Sequence, residues 1–358
     1  MKNTDSYKVL GLMSGTSMDG LDIAFCHFTR TENGWSYTIE KSATLPYSPT
    51  WIKMLGNARA LSGETLATLD AAYGYFLGEA CAKFVKQHKI QPDFIASHGH
   101  TIFHQPLKGL TYQLGKASSL HAASGLPVVA DFRSLDVALG GEGAPLVPAG
   151  DRFLFNDYDV CLNLGGIANL SMDITHERRA FDVCFMNMGL NHLASKARKK
   201  FDAGGAMAAS GNIHPALQKA LRKIYTSWRT KRPSLGREGF EQKIQPLLDN
   251  EKISLKDRMR TFTDVAAEEI ANVILSRPES TTVLCTGGGA FNSFFMSLLL
   301  DRCGDHAQLI IPDDEIVKFK EAMVFAFLGV LRIEGHVNCL RTVTGATRDS
   351  VGGITIGF

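Results

Sequence analysis

Eight consecutive residues near the N-terminus carry the densest chemistry: Ser14, Gly15, Thr16, Ser17, Met18, Asp19, Gly20 and Leu21. Apolar runs at 7–13 and 21–28 flank them and read as strands, so the eight form the turn of a hairpin. Successive backbone N–H groups in such a turn make a nest for an anion, and glycine lets a ligand approach closely. Asp19 can hold Mg²⁺ through its water shell. No Gly-Lys-Ser/Thr and no helix follow, so this is not the P-loop pattern. On composition alone, a polar hairpin without a ligand is the plain alternative.

Two further glycine-rich elements come later. LCTGGGAFN (284–292) runs a strand into Gly287, Gly288 and Gly289 and then a helix. Helix N-terminal amides at a strand end suit a phosphate or nucleotide, although a tight strand-to-helix connection looks the same. NLGGIANLS (163–171) repeats the strand, turn, strand logic around Gly165 and Gly166. Together the three point to an ATP-like ligand contacted from two sides.

Among acids, Asp182 in RRAFDVCFMN follows a short apolar strand end. A partly desolvated carboxylate there can act as a general base toward water or a sugar hydroxyl; a turn or helix-cap aspartate is the alternative. Cys184 has no base nearby in sequence and reads as a small buried hydrophobe. SHGHTIFHQP (97–106) carries His98, His100 and His104, with His98 and His100 on one face of a strand. No carboxylate or cysteine completes a zinc site locally, so sugar hydrogen bonding or local structure is the better reading. In ADFRSLD (130–136), Arg133 can clamp a carboxylate or phosphate, or pair with Asp131 or Asp136.

The elements that must position these groups alternate strands with helices. A helix spans 62–87. Short strands occupy 93–97, 127–131, 158–164, 169–172 and 282–286, and helices are expected near 190–200, 264–275 and 318–331. The Gly/Pro-rich passage VALGGEGAPLVPAG (137–150) joins the halves. Both halves begin with strand, Gly-rich turn, strand. The expectation is an α/β chain of two related domains, 1–150 and 151–358, facing a cleft, with the tail 338–358 left free to pack back on the first.

The chain has 358 residues, 45% hydrophobic and 21% charged, which fits a globular protein and excludes disordered, collagenous and coiled-coil classes. With 38 basic and 36 acidic residues the net charge is +2, too small to favour nucleic acid or an anionic membrane as partner. Seven scattered cysteines without a Cys-x-x-Cys pair argue against a disulfide framework or structural zinc. MKNTDSYKVL lacks a signal core, and MVFAFLGVL (323–331) is too short to span a membrane. A cytoplasmic protein is expected.

The sequence resembles the anhydro-N-acetylmuramic acid kinases, members of the superfamily of actin, the heat-shock ATPases and hexokinase-type sugar kinases. The resemblance rests on GLMSGTSMDGLD, SHGHTIFHQP, PVVADFR with GGEGAPLVP, NLGGIANLS, the Phe181-Asp182…Asn187 segment, FDAGG…ASG (201–211), PSLGRE (233–238), CTGGGAFN, KEAMVFAFL (320–328) and VTGA (343–346), in order along nearly the whole chain. It implies two ribonuclease-H-like domains of the actin-like ATPase fold closing on ATP and Mg²⁺. It implies that 14–21 is the first phosphate loop, NLGGIAN the second, and Gly287 to Gly289 the adenosine-side loop. It also implies peptidoglycan recycling, by a reaction in which water opens 1,6-anhydro-N-acetylmuramic acid while O6 takes the γ-phosphoryl group, giving N-acetylmuramic acid 6-phosphate. Asp182 matches the base and Asp19 the metal position. His98, Arg133, Asn187 and Glu321 match sugar-side positions. A homodimer is compatible with this reading.

The departures are local. Val183, Cys184, Phe185 and Met186 replace the family's Thr-Gly-Pro-Gly; His100 stands for Gln, Asn191 for Asp and Gly204 for Asp. Most lie on the sugar side, so a smaller or reshaped sugar pocket is expected. A kinase for a different anhydro- or amino sugar, or a catalytically impaired nucleotide-binding protein, is the alternative.

Overall fold

The computed structural model describes residues 5–15, 18–32 and 34–358. Two compact units emerge: Met1–Asn156 with Phe319–Phe358, and Asp157–Lys318.

In the first unit, β1 (Ser6–Ser14), β2 (Gly20–Thr31) and β3 (Gly34–Pro46) form an antiparallel meander. On the other side of β1 lie β4 (Phe94–Gln105) and then β6 (Val128–Ala130), both parallel to it in sequence of pairing, while β5 (Leu110–Leu114) hairpins back on β4. The second unit repeats this plan. β7 (Val160–Leu164), β8 (Ile167–Ile174) and β9 (Glu177–Phe185) meander; β10 (Thr281–Thr286) and β11 (Ala307–Ile310) add in parallel beyond β7. Both sheets therefore have the strand order of a ribonuclease-H-like domain.

Each sheet is made two-sided by alternation. Leu10, Leu12, Ile23 and Phe25 pack with Tyr73, Leu77 and Cys81 of the helix Gly63–His88, which Ser62 caps by accepting the Thr65 N–H. Intervening positions of β1 face the helix Asp314–Glu334, where Gly11 leaves no room for a side chain: a Cβ would lie 1.9 Å from the Ala322 carbonyl oxygen. In the second unit, Leu162, Leu164 and Leu170 pack on Phe262, Val265 and Ala266 of the helix Leu255–Leu275. No helix among the described residues is long and apolar enough to cross a membrane.

The division differs from the sequence expectation. The passage 137–150 is not a joint but part of the first unit. Asp136 is fully buried and accepts from the Gly143 N–H and the Thr344 hydroxyl, and Arg133 donates to the Gly143 carbonyl. Its Gly/Pro content serves close packing: a Cβ on Gly141 would meet the Asp136 carboxylate at 2.3 Å. The chain re-enters the first unit within the helix Asp314–Glu334, and β12 (Ile354–Ile356) pairs antiparallel with β6.

Candidate active site

In the second unit three sequence motifs converge. Gly287 has φ +81°, and a Cβ there would meet Asn163 Oδ1 at 2.5 Å and the Leu164 carbonyl at 2.9 Å. Gly289 packs on Leu164 as closely. From the other side, a Cβ on Gly205 of the FDAGG segment would meet Asn292 Oδ1 at 2.3 Å, and the Ser293 hydroxyl donates to the Gly204 carbonyl. The triple-glycine turn is thus clamped between the β7–β8 hairpin and the FDAGG segment. Gly165 and Gly166 use their carbonyls to accept the N–H groups of Asn187, Met186 and Met188 at the start of the helix Asn187–Lys196. Those helix-end amides are therefore occupied. The Asn187 side-chain amide donates to the Leu164 carbonyl at 3.0 Å and so fastens the hairpin.

Strand register sets Thr286, Asn163, Asn169 and Asp182 side by side across β10, β7, β8 and β9. Leu162, Leu164, Ala168 and Leu170 fill the alternate positions and are buried in the core, so the polar row lies on the opposite face. Asp182 is half-buried, and its Oδ2 accepts the Leu235 N–H at 2.8 Å from the PSLGRE segment. A β-bulge at Val183 separates the Asn169–Asp182 pair from the Ala168–Cys184 pair and re-aims the strand.

The bulge also decides the fate of the bulky segment. Cys184, Phe185 and Met186 are fully buried. Phe185 packs edge-on to Trp228 and Phe240, and the Cys184 thiol faces the Ala266 carbonyl. These side chains fill the second unit's core, and the reshaped pocket expected from them is not their consequence. Burial pushes the Cys184 thiol far up, which fits an inert packing group.

In the first unit, Thr16 and Ser17 lie outside the described residues. Gly15 accepts the Met18 N–H in a turn, with Met18 at φ +57°, and Asp19 is exposed. The Ser14 hydroxyl points inward instead of toward an anion. It accepts from Tyr47 at 2.7 Å and bonds His100 Nδ1 at 2.8 Å, while Tyr47 and Tyr73 share a 2.6 Å bond. This buried chain ties the hairpin to the helix Gly63–His88. Asp22, absent from the sequence reading of the site, is raised above the usual carboxylate range by burial, against a hydrogen bond from Thr44, with the Asp19 charge adding to the rise. Its place two residues beyond Gly20 on an alternating strand was the available signal.

His98 and His100 do not share a face. Gly99 adopts φ +73° at a register shift, which turns His98 toward Phe325 of the helix Asp314–Glu334 and His100 toward Tyr73. No cluster of three or more metal-ligating side chains occurs among the described residues. His98 Nε2 accepts from Arg133 at 2.7 and 3.1 Å, and its Nδ1 hydrogen goes to the Gly99 carbonyl. Burial, with the Arg133 charge, holds it neutral well below the usual histidine range. Both ring nitrogens are used, and His98 holds Arg133 in place. Burial pulls Arg133 down to about 10, against the opposing Glu321 charge. Glu321 is raised by burial, offset by Lys320 and Arg133, and accepts no hydrogen bond among the described residues. Beside it Lys320 and Asp151 form a buried 2.8 Å pair.

Burial also draws His100 down to about 4. An unfolded histidine titrates near 6.5, so between those values the unfolded chain binds a proton the folded chain refuses. This contribution is complete above pH 6.5 and is lost as pH falls through that window, by about 2 kcal/mol between pH 7 and 5. His100→Gln keeps an acceptor for Ser14 and removes it. Urea titrations at both pH values check this: an equal pH-dependent loss in variant and parent would refute it.

Comparison with known proteins adds the remaining observation. The family model for anhydro-N-acetylmuramic acid kinase matches residues 7–357. The anhydro-N-acetylmuramic acid kinase of Sulfurovum sp. (strain NBC37-1) is 32% identical, covering 98% of this chain and 99% of that protein. That of Xanthomonas axonopodis pv. citri (strain 306) is 33% identical, covering 97% of each. A solved ROK family glucokinase from Streptomyces griseus, in complex with glucose and AMPPNP, is far more distant, at 12% identity and a TM-score of 0.41 over 90% of this chain and 98% of its own. With its motifs in order over the full length and the duplicated sheet beneath them, the chain belongs to the anhydro-N-acetylmuramic acid kinase family, a family of sugar kinases.

Proposed function

We propose that this protein converts 1,6-anhydro-N-acetylmuramic acid, water and ATP to N-acetylmuramic acid 6-phosphate and ADP in the cytoplasm, as part of cell-wall recycling. The observation that carries the reading is Asp182, the residue that the resemblance assigns as the base, held by an amide on the polar face of β9. Water gives a proton to Asp182 as its oxygen attacks C1. The C1–O6 bond breaks, and O6 takes the γ-phosphoryl group as the bond to the departing ADP oxygen breaks. General-base help of this kind contributes about 10²–10⁴-fold.

Phosphoryl transfer rests on positioning and charge neutralisation. The glycine turns at 14–21, Gly165–Gly166 and 287–289 supply backbone for the nucleotide. Exposed Asp19 with Asp22 beside it makes a two-carboxylate edge that fits a Mg²⁺ ion keeping most of its waters. Bound there, such an ion offsets phosphoryl charge. Glu321 offers an acceptor to a sugar hydroxyl, and Arg133, oriented by His98, offers a cation to the lactyl carboxylate. The burial of Phe185 and Met186 in the core favours the family's own sugar over a different one.

The test is an assay with the anhydro-sugar, ATP and Mg²⁺ in ¹⁸O-water. The expected product is N-acetylmuramic acid 6-phosphate with the label at C1 and none in the phosphate. Phosphorylation without ring opening, or no product while nucleotide binds, overturns the reading.

A further inference from the structure

The root of the first hairpin is held by a buried chain of side chains that the mechanism above does not use: Tyr73, Tyr47, Ser14 and His100. Ser14 ends β1, and register places it across from Leu21 of β2 and beside His100 of β4. Tyr47 follows directly on β3, and Tyr73 lies in the helix Gly63–His88. The exit of β3, the long helix and β4 are thereby linked to the one serine at which β1 enters the hairpin turn. Trp51 and Phe76 close around the phenol rings. The Tyr73 and Phe76 rings stack at 5.9 Å, and Trp51 lies 5.4 Å from Tyr73 and 4.9 Å from Phe76. This ring packing fixes where the phenol oxygens sit.

Counting hydrogens gives the chain a direction. A hydroxyl has one hydrogen to donate. Tyr47 gives its hydrogen to Ser14 at 2.7 Å, so the 2.6 Å bond between Tyr47 and Tyr73 uses the Tyr73 hydrogen. The Ser14 hydrogen then goes to His100 Nδ1, 2.8 Å away. With a hydrogen on Nδ1 instead, Ser14 would accept from both neighbours and its own hydrogen would lose that bond. Burial keeps both phenols protonated and His100 neutral, which fits the same order. The hydrogens run from Tyr73 to Tyr47 to Ser14 to His100, and the imidazole carries its hydrogen on Nε2.

A strand end tied on both sides of one hydroxyl cannot rotate freely into the turn that follows it. The turn closes where Gly15 accepts the Met18 N–H, one residue beyond the fixed serine. An anion nest that is set before its ligand arrives loses less entropy when the ligand binds. We propose that Tyr73, Tyr47 and His100 are positioning residues for the nucleotide: through Ser14 they preset the 14–21 hairpin in its phosphate-receiving form. They act through the serine, without touching phosphate themselves. The proposal rests on the reading of that hairpin as a phosphate loop.

Calorimetry with ATP and Mg²⁺ on the full chain tests it. Tyr47→Phe keeps the ring packing and removes one donor. His100→Leu removes the terminal acceptor, and His100→Gln puts one back. The expected result is an ATP dissociation constant raised about three- to tenfold in Tyr47→Phe and in His100→Leu, the worth of one neutral hydrogen bond, with His100→Gln within about twofold of the parent. A purely structural role would lower the fraction of molecules that bind and leave their dissociation constant where it was. Parent-like constants in Tyr47→Phe and His100→Leu, or no rescue by glutamine, overturn the proposal. Imidazole ¹⁵N–¹H spectra of the parent give a second readout, with His100 assigned by its absence from the His100→Gln spectrum. Hydrogen on Nε2 is expected; hydrogen on Nδ1 overturns the chain. A parent that binds ATP and phosphorylates no anhydro-sugar fails the kinase reading alone, because affinity and not turnover is read here.

Discussion

Asp182→Asn lowers kcat by about 10²–10⁴-fold and leaves the ATP dissociation constant within about twofold. Asn keeps an oxygen to accept the Leu235 N–H, so the PSLGRE segment stays docked on β9. It cannot take a proton from water. The nucleotide contacts proposed for Gly165, Gly166 and Gly287 to Gly289 do not involve the 182 side chain. ADP release followed in a coupled assay gives kcat, and a fluorescent ATP analogue gives affinity. A variant within tenfold of the parent would take Asp182 out of the chemistry. A variant that loses ATP binding as well would show that the aspartate holds the loop architecture instead.

Gly11→Ala destabilises the first unit by about 3 kcal/mol or more, the upper end of overpacking costs. A Cβ there falls 1.9 Å from the Ala322 carbonyl oxygen and 3.0 Å from Ala326 Cβ. A helix carbonyl cannot rotate aside, so the helix Asp314–Glu334 must lift from the sheet. Gly329, one further contact along it, would be 2.8 Å from Ala96 by the same construction, so the close seat extends over several turns. Lifting the helix also moves Lys320 and Glu321, and activity falls with stability. The thermal midpoint drops by roughly 6–12 °C at 2–4 °C per kcal/mol for a unit of this size. Gly56→Ala is the contrast. Among the described residues its Cβ meets only Met18 Sδ, at 3.9 Å, inside the helix Pro49–Asn57, so it raises stability by roughly 0.5–1 kcal/mol. Equal midpoints for the two variants would refute the packing argument.

The elements with strong apolar periodicity were legible in the chain. β1, β2, β7, β10 and the helix Gly63–His88 are buried on a whole face or on both, which leaves a clear pattern. β3 was not, because Gly34–Pro46 is a long edge strand with most side chains half-buried or exposed, which leaves no apolar alternation to read. Of β9 only a short strand end before Asp182 is legible, because the bulge at Val183 breaks the alternation beyond it. The helix Pro215–Lys231 has a polar majority and is held by packing and by its His214 cap, neither of which composition displays.

Of the candidate site, the sequence by itself determined the motifs, their order and hence the family. Backbone turns and close approaches demand particular residues, so glycines at 165, 166 and 287 to 289 and an aspartate at 182 can be read without coordinates. Only the tertiary structure decided what each side chain does. Whether Ser14 meets an anion or a buried tyrosine, whether His98 reaches a sugar or holds Arg133, and whether Phe185 fills a pocket or a core depend on which face a bulge or a left-handed glycine turns outward. A one-residue shift in a strand reverses every side chain beyond it, and that shift leaves almost no trace in the order of residue types.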